Sequence, residues 1–169
     1  MMKPENKFID IDFAPIKNMI YSGYCIKQSS QLIILMNFNS RSKQFDGFTV
    51  FRPKDITRYR YWSKSEIKEI KKDNRSDLLS LFDVKKMKSF YSCLKYIDNN
   101  ILVSIYTNNN IDEYHVAKVI KLNRNSVKLK LINQNSKWKR SVKMLLSDID
   151  FFGFLTKYEI LLLKKANVV

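Results

Sequence analysis

The stretch Asp55-Ile56-Thr57-Arg58-Tyr59-Arg60-Tyr61-Trp62-Ser63-Lys64-Ser65-Glu66-Ile67-Lys68-Glu69-Ile70-Lys71-Lys72 aligns without gaps on a second one, Asp148-Ile149-Asp150-Phe151-Phe152-Gly153-Phe154-Leu155-Thr156-Lys157-Tyr158-Glu159-Ile160-Leu161-Leu162-Leu163-Lys164-Lys165. Identities fall at Asp, Ile, Lys, Glu, Ile, Lys and Lys. The chemistry agrees as well. Ser63-x-x-Glu66 and Thr156-x-x-Glu159 both have the form of a capping box. In that device a hydroxyl accepts from the third amide of a helix and the glutamate reaches back to the cap amide. An aromatic-rich strand followed by a capped short helix therefore occurs twice, and the chain reads as an internal duplication.

Working upstream, the halves match in pattern. Ile26-Lys27 leads to a turn and then to Leu32, Ile34, Met36 and Phe38 on one face, with Ile33 and Leu35 filling the other. A strand of that kind is covered on both faces. Ile120-Lys121 leads to a turn and then to Val127, Leu129 and Leu131, which alternate with Lys128 and Lys130, so one face meets water. The first half is expected to hold strands near 17–27, 31–38, 46–52 and 55–62 and a helix near 64–72, with Asp46-Gly47 as a turn before the third strand. Asp83 is expected to cap a helix over 84–97, with Met87, Phe90, Tyr91, Leu94 and Ile97 at helical spacing. The second half is expected to hold strands near 101–106, 113–122, 126–133, 138–146 and 148–155 and a helix near 157–165. Only three glycines and three prolines are present, so turns fall to Asn, Asp and Ser, as at Asn108-Asn109-Asn110 and Asn123-Arg124-Asn125. The expected class is mainly β: two tandem small antiparallel barrels with short capping and connecting helices. The first unit would span 1–72, a helical connector 73–100 and the second unit 101–169. The connector lacks glycine and proline and carries an apolar stripe. The halves are therefore expected to pack together, with Met87, Phe90, Leu94 and Ile97 between them.

The runs Gly23-Tyr24-Cys25-Ile26, Asp46-Gly47-Phe48-Thr49-Val50-Phe51-Arg52 and Asp55-Ile56 in the first half carry a resemblance. So do Val116-Ala117-Lys118-Val119-Ile120, Val127-Lys128-Leu129, Trp138, Leu146-Ser147-Asp148-Ile149-Asp150-Phe151 and Tyr158-Glu159 in the second. Over roughly residues 15–165 the chain resembles uncharacterised bacterial proteins built of two tandem Sm-like (SH3-like barrel) folds. It departs from them at Ala117, where the second half would carry glycine. No RNA-pocket motif matches, so the resemblance transfers no RNA-contact residue and speaks only to the fold.

Composition narrows the function classes. The 169 residues carry a formal charge of +15, divided as 14 Lys/Arg against 7 Asp/Glu up to Lys72 and 17 against 9 beyond it. The charge is spread over the chain and does not form a tail. It points to an anionic partner such as nucleic acid, although the Lys-, Asn- and Ile-rich composition that AT-rich genomes encode gives the same balance without one. Cys25 and Cys93 lie in apolar patterns without CxxC spacing, as expected of buried reduced thiols. Residues 1–15 lack an apolar signal core, and no apolar run approaches 18 residues. The expected compartment is the cytoplasm.

Catalytic chemistry has little to stand on. The lone histidine, His115, sits in a predicted strand with no marked nucleophile or carboxylate partner. One His and two scattered Cys make no zinc set, and no phosphate-cradling glycine loop or calcium loop occurs, so neither metal nor cofactor is expected. The carboxylate pairs Asp10/Asp12, Asp112/Glu113 and Asp148/Asp150 read as local hydrogen-bonding groups, and Asp55 and Asp148 share one repeat position before a strand. A non-enzymatic binding protein is expected, with RNA or single-stranded nucleic acid as the leading partner. An acidic protein bound by an adaptor, assembly or toxin-neutralising module is the alternative. Two stretches mix aromatic and basic residues. In one, Arg58 and Arg60 share a strand face with Trp62. In the other, Lys137, Trp138, Lys139, Arg140 and Lys143 lie beside Lys128 and Lys130. Such faces stack bases and hold phosphates. The same residues also suit solvated arginines over a Tyr59/Tyr61 core, and a solvated lysine face with Trp138 closing the barrel.

Overall fold

The computed structural model describes residues 6–14, 20–71, 73–81, 83–97, 100–107 and 110–167, with the backbone alone for 110–113. The expected turn at Asn108-Asn109 and the side chains of Asp112 and Glu113 lie outside the described residues. The protein is mainly β. Ten strands form one antiparallel sheet that does not close on itself. They are β1 (Lys7–Phe13), β2 (Ile20–Gln28), β3 (Ile33–Asn39), β4 (Gln44–Phe51), β5 (Ile56–Tyr61), β6 (Leu102–Thr107), β7 (Asn110–Asn123), β8 (Ser126–Ile132), β9 (Trp138–Leu145) and β10 (Ile149–Phe154). Four short helices accompany them: α1 (Lys64–Lys68), α2 (Arg75–Leu79), α3 (Phe90–Tyr96) and α4 (Lys157–Ala166).

The order across the sheet is β5-β1-β2-β3-β4-β10-β6-β7-β8-β9. Each half thus repeats one arrangement, its last strand lying beside its first. The halves meet where β4 pairs with β10, matching Phe51 with Phe151, Val50 with Phe152, Thr49 with Gly153 and Phe48 with Phe154. Both caps stand as expected: Ser63 and Thr156 accept from the amides of Glu66 and Glu159, and each glutamate returns the bond. Asp55 and Asp148 each end a 3-10 turn that leads into β5 and β10.

Alternating side chains fill two faces. Leu32, Ile34 and Met36 of the first half join Phe48, Val50, Phe152, Ile105, Val119 and Leu129 on one face, where α3 covers them. Ile33 and Leu35 join Ile9, Ile11, Phe13, Phe51 and Phe151 on the other. The connector stripe is buried in the shared core, with Met87, Phe90, Leu94 and Ile97 all at most 4% exposed. Both cysteines are buried and in no disulfide, and burial pushes the Cys93 thiol up to about 12.

Several expectations need correction. The helix drawn over 84–97 is a 3-10 turn at Val84–Lys86 and then α3, because Ser89 makes its own capping box with Ser92 and restarts the helix. Asp83 caps only the turn. Asp46-Gly47 is no hairpin turn but lies inside β4, while the reversal before it uses Asn39, whose side chain accepts from the Arg41 and Ser42 amides. Gly47 has φ +69°, and a Cβ there would sit 2.6 Å from both the Phe154 carbonyl oxygen and the Thr156 nitrogen. Its neighbour Asp46 accepts from the Lys157 amide at 2.8 Å, so the first half caps the helix of the second. Strand β1 and helix α2 were missed.

Gly47→Ala is expected to cost about 2 kcal/mol or more, through left-handed strain and collision with the neighbouring half. Thr156→Ala is expected to cost about 1 kcal/mol. Urea unfolding of the full chain measures both.

Candidate nucleic-acid interface

Strand register decides which of the predicted cations meet. Paired residues in an antiparallel sheet share a face. Lys118 pairs with Lys130 and Lys130 with Ser141; Lys121 pairs with Lys128 and Lys128 with Lys143. The outer face of β7, β8 and β9 therefore carries two cross-strand rows, Lys121-Lys128-Lys143 and Lys118-Lys130-Ser141. None of these five lysines is ion-paired among the described residues. Like charges directly opposite one another destabilise a sheet, which a bound polyanion relieves. Lys121, Lys128 and Lys143 are exposed, and β9, with exposed Lys139 and Arg140, is an edge of the sheet. Lys118 and Lys121 were not among the predicted site residues. The signal for them was strand pairing, which composition does not reveal.

Trp138 does not stand free over this face. It pairs with Ile132 across β8 and β9, and both pack with Leu162, Leu163 and Ala166 of α4 on Leu102 and Val116. The indole is half-buried and marks the border where the helix ends and the lysine rows begin. Lys137 is exposed in the turn before β9, where its amide donates to the Asn133 side chain.

Arg58, Arg60 and Trp62 lie at the opposite edge of the sheet, on or just after β5, and do not join the lysine rows. Arg60 donates through Nε to Asp10 at 2.8 Å, pairs with the same carboxylate through Nη2, and holds Glu66 through Nη1 at 2.8 Å. Arg58 reaches Asp12 at 3.3 Å. The Trp62 indole nitrogen donates to Asp10 at 2.7 Å, and its ring stacks on Phe8 at 5.7 Å. These cations are compensated internally, whereas the β8–β9 cations form no ion pair among the described residues. Hydrogen bonds from Ser63 and Arg60 hold the Glu66 carboxyl down at about 2.

The largest cavity among those described, about 420 Å³, lies on the seam between the halves. Its arginine, Arg52, is already engaged: Nε donates to the Ile149 carbonyl at 3.1 Å, Nη2 to the Leu146 carbonyl, and the guanidinium lies 4.1 Å over the Phe90 ring. No helix among the described residues is long and apolar enough to cross a membrane. A scan against protein-family models and searches of curated proteins and of solved structures gave no match.

The depressed Glu66 value has a signed consequence. Its stabilisation is fully present above the ordinary carboxyl value of 4.5 and is lost as pH falls through about 2. The stability difference between the natural chain and Glu66→Gln is therefore expected to shrink as pH is lowered from 4.5 towards 2, measured by urea unfolding at stepped pH.

Proposed function

We propose that the protein binds single-stranded nucleic acid, RNA above all, without catalysing a reaction, and that the β7–β9 face is the contact surface. The observation that carries this reading is the pair of cross-strand lysine rows, which meet no carboxylate among the described ion pairs. A cationic strand face follows a flexible phosphate backbone and offers no recognition helix for a duplex groove. Lys118, Lys121, Lys128, Lys130 and Lys143 supply the charge, and Lys137, Lys139 and Arg140 extend it along the edge. Trp138 acts at the rim, as a rigid shoulder that fixes β9 against α4. In this reading Arg58, Arg60 and Trp62 support the fold of the first half and not the interface.

The repeated strand order and the twin capping boxes support a duplicated pair of Sm-like barrels as the ancestry of the sheet. Two buried thiols fit a reducing compartment, the cytoplasm.

Binding to single-stranded RNA is expected to fall steeply with salt. Lys128→Ala/Lys143→Ala is expected to lower the slope of log affinity against log salt by about 1.4, since each lost phosphate contact on a single strand removes about 0.7. Filter binding at several salt concentrations measures it. A double variant that binds like the natural chain, or a stoichiometric acidic protein partner that survives nuclease, would replace RNA with a protein ligand.

A further inference from the structure

The repeat allows the same position to be inspected twice. In the first half β1 and β5 pair Asp10 with Arg60, and in the second β6 and β10 pair Ser104 with Gly153. The capping glutamates Glu66 and Glu159 stand at matching places in α1 and α4. The first half thus holds a guanidinium between two carboxylates, while the second half has lost the arginine to glycine and one carboxylate to serine. The remaining carboxylate, Glu159, is only 3% exposed. A Cβ at Gly153 would lie 3.9 Å from Glu159 Oε1, so an arginine rooted there would start beside that oxygen.

Space is present where the arginine is missing. A cavity of about 350 Å³ opens at the seam over Gly153, lined by Glu159, Ser104, Thr49 and a set of aromatic rings. Tyr106 is stacked between Phe151, at 4.2 Å and 12°, and Tyr114, at 5.4 Å and 19°, so the three rings form a column beside the cavity. Tyr158 is hydrogen bonded to Tyr114, and Tyr21 closes the side of the first half. In a chain of charge +15, no lysine or arginine lines this cavity. Glu159 Oε2 accepts from the Thr156 amide at 2.9 Å, matching the way Glu66 Oε2 accepts from Ser63. Oε1, which in Glu66 receives Arg60, here receives the Ser104 hydroxyl at 2.5 Å and no cation among the described residues. A carboxylate oxygen has a second lone pair to offer.

We propose that this cavity binds the guanidinium group of a ligand, with Glu159 Oε1 as its anionic acceptor and Tyr106, Tyr114 and Tyr158 as its aromatic walls. The ligand cation takes the place that Arg60 fills in the first half. A planar guanidinium suits the site better than an ammonium because it stacks on rings while donating in its plane. Burial holds the Glu159 carboxyl above its ordinary range, the cost expected of a buried acid that has lost its cation. The site is separate from the lysine rows: Val116, under α4, lies between Tyr114 and Lys118 along β7.

Calorimetric titration of the full chain with agmatine, and with the peptide acetyl-Gly-Arg-Gly-amide, tests this. Saturable binding of both is expected; binding of agmatine alone would assign the site to free guanidino compounds, and binding of the peptide alone to an arginine in a polypeptide. Glu159→Gln keeps the cap and the shape but removes the charge, and is expected to weaken binding roughly ten-fold. Gly153→Arg is expected to abolish it by restoring an internal guanidinium; should that variant not fold, Glu159→Gln decides alone. No saturable binding of either probe, equal binding by Glu159→Gln, or saturation by guanosine and not by agmatine overturns the proposal. Lys128→Ala/Lys143→Ala is expected to bind agmatine like the natural chain, so loss of RNA binding and loss of guanidinium binding are read separately.

Discussion

The backbone ladder between β4 and β10 joins two repeats that would otherwise each expose an apolar edge. Its side chains come from both faces of the sheet: Phe48 stacks with Phe154 at 5.3 Å on one side, and Phe51 with Phe151 at 5.6 Å on the other. Both rows continue into the two cores. Gly47 permits the close approach, Asp46 caps the helix of the second repeat, and Arg52 ties down the turn before β10. An unpaired hydrophobic edge is an invitation to aggregate, and this contact removes it from both repeats at once.

The two capping boxes and the strands before them were legible because caps and alternation are local signals. The expectation that the run from Leu32 to Phe38 is covered on both faces holds for residues 32–36, which are fully buried, but not for Phe38, which is half-buried. Strand β1 was missed because Asp10 and Asp12 alternate with Ile9, Ile11 and Phe13 and read as a carboxylate pair. Asp10 is in fact buried, at 7% exposure, and its charge is met by Arg60 from β5. Composition cannot show that kind of long-range compensation. The apolar stripe over 87–97 foretold burial correctly but misjudged helix length, since a stripe records which residues are inside and not where Ser89 restarts the backbone. One continuous sheet in place of two separate units followed from β4 meeting β10, a pairing set by tertiary packing.

The candidate site was legible in the same uneven way. Lys128, Lys130 and Lys143 come together because strand alternation fixes their face, and pairing adds Lys118 and Lys121. Trp138 belongs as much to the α4 packing as to the cationic surface. The aromatic and basic run before Ser63 looked like a second binding face. It is instead a satisfied ion cluster, in which Asp10 and Glu66 meet Arg60 and the Trp62 indole donates to Asp10. The two ends of the sheet carry similar residue types in opposite electrostatic settings: at one the arginines meet carboxylates, while at the other the lysines form no ion pair among the described residues.

Joining repeats through β4 and β10 also sets the order of events as the chain is made. The N-terminal repeat can close all its ladders but one, and β4 then waits for a strand one full repeat further along. Until β10 arrives, Phe48, Val50 and Phe51 border an unpaired edge, and Asp46 waits for the amide of Lys157 at the start of α4. Pairings this distant in sequence form slowly. Until then the first half presents an unpaired strand edge, the kind of edge that other chains add to. The edge of β4 is therefore the last part of the first half to be covered as the chain is made.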